Sequence, residues 1–94
     1  MRNLKRIKTE IIKKRLSLLQ YNLELYPENI LTYKGKTNDD LNGADRFTLN
    51  VAVQEKEIKN FDIKELVEKW ESDLKEIRQM YSEYQAELAS RGEI

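Results

Sequence analysis

Between Ile63 and Leu88, apolar side chains recur at alternating steps of four and three residues. The series is Ile63, Val67, Trp70, Leu74, Ile77, Tyr81, Tyr84 and Leu88. This spacing is a heptad seam, and an α-helix places all of its members on one face. At the amino end, Asp62 can cap the helix, and Glu65 three positions later completes the pattern of a capping box. Beyond the carboxyl end, Gly92 can adopt the left-handed conformation that ends many helices. The sequence therefore predicts a helix over about residues 63–90.

A second amphipathic segment runs from Asn3 to Tyr26. Its apolar residues form two adjoining strips that cover about half of the helical circumference, wider than the ~100° stripe of an ordinary surface helix. This helix is therefore expected to contact more than one neighbour. Pro27 disfavours helical geometry in the residue before it, which predicts that the helix ends at Tyr26.

Between these two helices the apolar pattern changes to a period of two. Phe47, Leu49, Val51 and Val53 alternate with polar or small residues, which is typical of a half-buried strand. The segment from Ile30 to Tyr33 is a shorter candidate strand. Residues 37–45 between the two are rich in Asn, Asp and Gly, which favour turns. The pattern predicts a β-hairpin over about residues 30–54.

Together these elements predict a mostly helical α+β fold in one small domain, residues 1–94, in the order α-β-β-α. The two long helices are expected to run antiparallel, with the β-hairpin at their connection. A helical alternative stays open for residues 46–59, which would then extend the last helix backward. A lone hairpin is marginal in water, so it must lean on the helices.

The chain contains no Cys and no His. This excludes thiol nucleophiles, disulfides, Cys/His zinc sites and imidazole acid–base catalysis. Asn38, Asp40 and Asn42 resemble the first half of a calcium loop, but the ninth position is Arg46 and the twelfth is Leu49, where a bidentate Glu is needed. We therefore expect a protein that is not an enzyme, with no catalytic residues, no metal and no cofactor.

The zero net charge of the chain is the sum of two unequal halves. Residues 1–36 carry nine basic and three acidic side chains, a balance of +6, and residues 37–94 carry eight and fourteen, a balance of −6. Such asymmetry indicates either pairing between the halves or an anionic partner for the first half.

Two acidic or polar regions are the surfaces that we expect to bind a protein partner. One is the turn-rich tip and the other is the outer face of the last helix. Their candidate contact residues are Asn38, Asp39, Asp40, Asp45, Glu68, Glu71, Glu76 and Glu83. The expected function is that of a non-catalytic interaction protein, a small accessory or regulatory protein of the size and layout common in phages and mobile elements.

The alternative function is DNA or RNA binding through the basic amino-terminal segment. Its candidate phosphate contacts are Arg2, Lys5, Arg6, Lys8, Lys13, Lys14 and Arg15. Aromatic residues do not interleave with these charges, so stacking on bases is not supported. The same segment is amphipathic, but its apolar strips continue past the basic zone, which fits core packing better than a membrane surface.

A homodimer is expected, because one antiparallel pair of helices cannot bury the whole apolar surface and either the hairpin or a second chain must cover the remainder. The first residues lack the apolar centre of a signal peptide, and no apolar run approaches the ~18–20 residues of a transmembrane helix. We therefore expect a cytoplasmic protein.

Overall fold

The structure, a computed structural model, describes residues 3–94, and all regular secondary structure in that range is helical. Helix α1 spans Thr9–Tyr33, a short 3-10 helix spans Asn38–Asp40, α2 spans Gly43–Glu55 and α3 spans Ile63–Ser90. Within the described range no residue belongs to a strand. The predicted α+β class and its β-hairpin are therefore wrong, and the chain is a helical hairpin with a third helix in its connection.

Helix α3 begins and ends where the sequence predicts. The Asp62 carboxylate accepts a hydrogen bond from the backbone N–H of the second helical residue at 3.1 Å, which satisfies one of the free donors at this end. At the other end Gly92 adopts φ +75°, and the Glu93 N–H donates to the Leu88 carbonyl at 3.0 Å. This is a Schellman cap, and its left-handed residue favours glycine.

The heptad seam of α3 faces the interior of the molecule. Seven of its eight side chains are buried, and Tyr81 is half-buried. Helix α1 covers this seam and runs antiparallel to α3. Lys13 pairs with Glu93 at one end at 3.1 Å, and Lys34 pairs with Glu71 toward the other end at 3.5 Å.

Helix α1 starts and ends about six residues later than predicted. Its start is displaced because the Arg91 guanidinium donates to the carbonyls of Leu4 and Lys5, which holds the preceding segment against the end of α3. Its end is displaced because the helix continues through Pro27. Ile30 and Tyr33 pack against the same cluster as Trp70, and this burial outweighs the hydrogen bond that proline removes.

Residues 43–55 form a helix although their apolar residues alternate. Leu49 and Val53, four residues apart, are buried against α3, whereas Phe47 and Val51 point outward at 83% and 60% exposure. In a helix, the alternating series thus separates into two pairs of residues four apart, Leu49 with Val53 on the inner face and Phe47 with Val51 on the outer face. The predicted strand at 30–33 is the last turn of α1, and the predicted tip is the 3-10 helix together with the start of α2.

The alternative of a backward extension of α3 is also wrong. Helix α2 ends at Glu55, and Glu57 adopts the left-handed conformation at φ 58°. The chain then passes through Ile58, which is buried, before α3 begins. Residues 46–59 are therefore a separate helix and a loop.

The apolar core consists of two clusters along an elongated molecule of 51 × 22 × 21 Å. The Trp70 cluster lies where α2, the first half of α3 and the end of α1 meet, and it contains Leu41, Leu49, Val53, Ile58, Ile63, Leu66, Val67 and Trp70. The Tyr84 cluster lies between the start of α1 and the end of α3, and it contains Leu4, Ile12, Leu19, Ile77, Tyr84 and Leu88. Tyr26 packs against both clusters.

Candidate protein-binding surfaces

The outward side of α2 is an exposed surface that carries one charged residue, Glu55 at its carboxyl end. We call it the α2 outer face, and its other exposed residues are Ala44, Phe47, Thr48, Val51 and Gln54. Phe47 and Val51 lie one helical turn apart at its centre. Charged residues make up 36% of the chain, so a helix face with a single charged residue and an exposed aromatic ring differs from the average composition of this protein.

A reciprocal cap starts α2 and orients this face. The Asn42 side chain accepts a hydrogen bond from the Asp45 N–H at 2.8 Å, and the Asp45 carboxylate accepts from the Asn42 N–H at 3.2 Å. Arg46 donates to the Asn38 carbonyl at 2.9 Å, and its guanidinium lies 5.5 Å from the centre of the Phe61 ring. The two charged residues near the start of α2 thus serve the fold.

A polar contact among the three helices fixes the other end of α2. The Lys56 ammonium donates to the Tyr26 hydroxyl on α1 at 3.1 Å and to the Asp73 carboxylate on α3. Partial burial acts to lower the pKa of Lys56, but the hydrogen bonds to Asp73 and Tyr26 outweigh it, so the pKa lies above the ordinary lysine value. This contact holds α2 at a defined position over α3.

Three of the four candidate contact residues in the predicted tip make bonds inside the molecule. Asn38 accepts from the Ile63 N–H at 2.8 Å and donates to the Phe61 carbonyl at 3.1 Å. Asp40 accepts from the backbone N–H and the hydroxyl of Thr37, and these bonds keep the pKa of Asp40 below its usual value. Asp45 caps α2, and Asp39 is exposed.

The four candidate glutamates on α3 are spread along the helix rather than gathered at one site. Glu68 and Glu83 are fifteen residues apart, which is about 22 Å along the axis. Glu71 pairs with Lys34, and Glu83 accepts a hydrogen bond from Gln79 at 3.4 Å. Glu76 lies between them and is exposed. Their role in binding a partner stays a prediction.

The basic amino-terminal residues do not share one helical face. Three of them, Lys5, Arg6 and Lys8, precede α1 and are exposed, and Arg2 lies outside the described residues. Lys13 pairs with Glu93, and Arg15 donates to the Tyr84 hydroxyl at 3.4 Å. Lys14 is exposed on α1. Nucleic-acid binding through these residues stays a prediction.

Helix α1 carries a second exposed apolar surface, on the side away from α3. We call it the α1 outer seam, and it consists of a half-buried residue, Leu25, and five exposed ones, Ile11, Lys14, Leu18, Tyr21 and Glu28. Leu18 is 66% exposed and Tyr21 is 61% exposed. The sequence indicated surplus apolar width on this helix. It did not show which residues α3 leaves uncovered.

Neither a metal centre nor a membrane span stands out in residues 3–94. His, Cys, Asp and Glu side chains in this range do not gather in groups of three or more that would hold an ion. None of the helices described is long and apolar enough to cross a bilayer. No protein-family model, curated protein or solved structure matches the chain.

Proposed function

We propose that this chain is a non-catalytic protein–protein interaction module, and that it binds a protein partner through the α2 outer face. The observation that carries the proposal is the exposure of Phe47 at 83% and of Val51 at 60% on a helix face whose one charged residue, Glu55, lies at its end. The cores of protein interfaces are depleted in charged residues and enriched in aromatic ones.

The composition of α2 supports this assignment. Its inner face is apolar and buried through Leu49 and Val53, so the helix carries large apolar side chains on two sides. A helix with apolar residues on opposite sides is typical of one that is packed between two neighbours, whereas a surface helix normally has charged or polar residues on its solvent-exposed face. Burial of Phe47 and Val51 by a partner would contribute about 1.5–3 kcal/mol each before the costs of association.

The surroundings of the α2 outer face suit the rim of an interface. Glu55 lies at its carboxyl end. The exposed Asp39 lies in the 3-10 helix, and Arg46 of α2 donates a hydrogen bond to the carbonyl of the preceding residue, Asn38. Polar and charged residues around an apolar centre are typical of specific interfaces. The partner surface is therefore expected to combine an apolar groove with basic residues at its edge.

A comparative pull-down tests this proposal. The chain is immobilised as wild type, as Phe47→Glu and as Ser82→Glu, and each is exposed to a lysate of the source organism. Ser82 is exposed on α3, so its substitution adds the same charge outside the α2 outer face. We expect a protein that wild type and Ser82→Glu retain and that Phe47→Glu loses. Equal retention by all three would contradict the proposal.

A further inference from the structure

The α1 outer seam has the spacing of a second heptad repeat. Ile11, Leu18 and Leu25 lie seven residues apart, and Lys14, Tyr21 and Glu28 form a parallel column three residues later. These columns have the spacing of the a and d positions of a coiled coil, with charged residues at the two ends of the second column, and they extend about 26 Å along the helix. Helix α1 thus carries heptad spacing on its outward side as well as the side that packs against α3.

The two ends of the α1 outer seam carry opposite charges. Lys14 lies near its amino end, and Glu24 and Glu28 flank Leu25 at its carboxyl end. All three charged side chains are exposed, and within residues 3–94 they make no ion pair. The neighbouring Lys13 differs, because Glu93 of α3 already pairs with it.

This charge order determines how two copies of the α1 outer seam fit together. In a parallel pair, Lys14 would face Lys14 and Glu28 would face Glu28, and each contact would be repulsive. In an antiparallel pair, a positions pack against d positions, so Leu18 faces Tyr21 and Lys14 faces Leu25. Lys14 then lies between Glu24 and Glu28 of the second copy, and the two-fold axis repeats this contact.

We propose that a second copy of this chain binds the α1 outer seam, in an antiparallel dimer whose two-fold axis passes between Leu18 and Tyr21. The seam belongs to one helix per copy, which places the contact at the small end of specific interfaces. A dimer of micromolar affinity is therefore expected. The surface is separate from the α2 outer face, so dimerisation and partner binding are independent properties.

Complementary charge reversals test the pairing of Lys14 with Glu24 and Glu28. Lys14→Glu places three acidic groups at each end of its own dimer, and Glu24→Lys/Glu28→Lys places three basic groups there. Each variant alone is expected to weaken self-association at least tenfold, measured by sedimentation equilibrium. Mixed in equal amounts, the two variants regain opposite charges at both ends, and the dimer is expected to return.

Two matched controls accompany these variants. Lys75→Glu changes the charge on α3 by the same amount as Lys14→Glu, and Glu55→Lys/Glu68→Lys matches the double reversal at exposed positions outside the seam. Both controls should dimerise as wild type does. Circular dichroism checks that every variant keeps its helix content, which is expected because the altered side chains are exposed.

A cross-linking experiment tests the register without relying on charge. Because the natural chain contains no Cys, Ile11→Cys and Glu28→Cys introduce single thiols. A short bismaleimide should join Ile11→Cys to Glu28→Cys in a mixture more efficiently than it joins two copies of Ile11→Cys. The reverse preference would overturn the antiparallel arrangement.

Three further outcomes are decisive. A wild-type chain that stays at 11.2 kDa up to about 100 µM overturns the dimer. Failure of the charge-reversed mixture to associate overturns the proposed pairing of Lys14. Leu18→Glu should be monomeric and still retain the partner that Phe47→Glu loses, so failure of the dimer and failure of the partner proposal are distinguishable.

Discussion

Lys56 joins all three helices through one side chain. Its ammonium contacts Tyr26 of α1 and Asp73 of α3 from the carboxyl end of α2, and its side chain is only 22% exposed. Hydrogen bonds to a charged group contribute more than neutral ones, because the charge strengthens each bond where water is partly excluded. Hydrogen bonds are directional and apolar contacts are not. Lys56 therefore fixes the position of α2 more specifically than apolar packing alone.

Replacement of Lys56 by Met should lower the free energy of unfolding by about 1–3 kcal/mol near neutral pH. The pKa of Lys56 is raised in the folded state, so its stabilisation is complete below the ordinary value of 10.5 and is lost as the pH rises through the higher folded value. Urea denaturation of both proteins measures the difference. It should be constant around neutral pH and shrink as the pH rises above 10.5; a difference that persists unchanged at high pH would contradict this explanation.

Asn38 acts as an additional cap for α3 from a distant part of the sequence. Its side chain accepts from the Ile63 N–H and donates to the Phe61 carbonyl, both at partly buried atoms. Asn38→Ala would leave both backbone groups without this partner and should cost about 1–3 kcal/mol in thermal or urea denaturation. The adjacent, exposed Asp39 supplies the control, and Asp39→Ala should change stability by at most about 0.5 kcal/mol. Equal effects of the two substitutions would show that the Asn38 bonds do not stabilise the fold.

At the scale of the elements, Pro27 is a local defect that tertiary packing tolerates. Proline in a helix interior costs about 3 kcal/mol relative to alanine, because it removes a hydrogen bond and crowds the preceding turn. Pro27→Ala should therefore stabilise the protein by about 1–3 kcal/mol and raise its thermal midpoint by several degrees. Gln20→Ala, at an exposed site on the same helix, should have little effect. A lower midpoint for Pro27→Ala would mean that packing of the proline ring outweighs the lost bond.

The limits of α3 were predictable because every local signal agreed. The heptad seam, the capping Asp62 and the left-handed Gly92 all indicate the same 28-residue helix, and the structure confirms it. The end of α1 was not predictable in this way, since Pro27 is a valid stop signal by itself. Only the burial of Ile30 and Tyr33 against distant residues keeps the helix going, and a local pattern does not contain that contact.

The error at α2 hid the candidate binding surface as well. A strand would place four apolar residues on one buried face, namely Phe47, Leu49, Val51 and Val53. In the helix, Leu49 and Val53 face the core and Phe47 and Val51 face outward. The missed signal was the pair Asn42 and Asp45, a capping box immediately before the run.

Across the whole molecule, the opposite charges of the two halves of the chain are partly paired by the fold. Lys13 and Lys34 come from the basic half, and they pair with Glu93 and Glu71 of the acidic half near opposite ends of the helical hairpin. These pairs are exposed, so each contributes little to stability. Their consistent direction nevertheless favours the antiparallel arrangement of α1 and α3 over the parallel one.

The two apolar clusters are expected to unfold as one unit, because α1 and α3 run through both and Tyr26 contacts both. Ile12 is fully buried in the Tyr84 cluster, and Ile12→Ala should cost about 2–5 kcal/mol. The only tryptophan, Trp70, reports on the other cluster. In Ile12→Ala, the midpoints from tryptophan fluorescence and far-UV circular dichroism should fall together, which is the behaviour of a two-state domain.

The matching change in the other cluster is Leu66→Ala, because Leu66 is fully buried beside Trp70. This substitution should also shift both signals equally. A fluorescence midpoint unchanged in Ile12→Ala would instead show that each end of the hairpin unfolds separately.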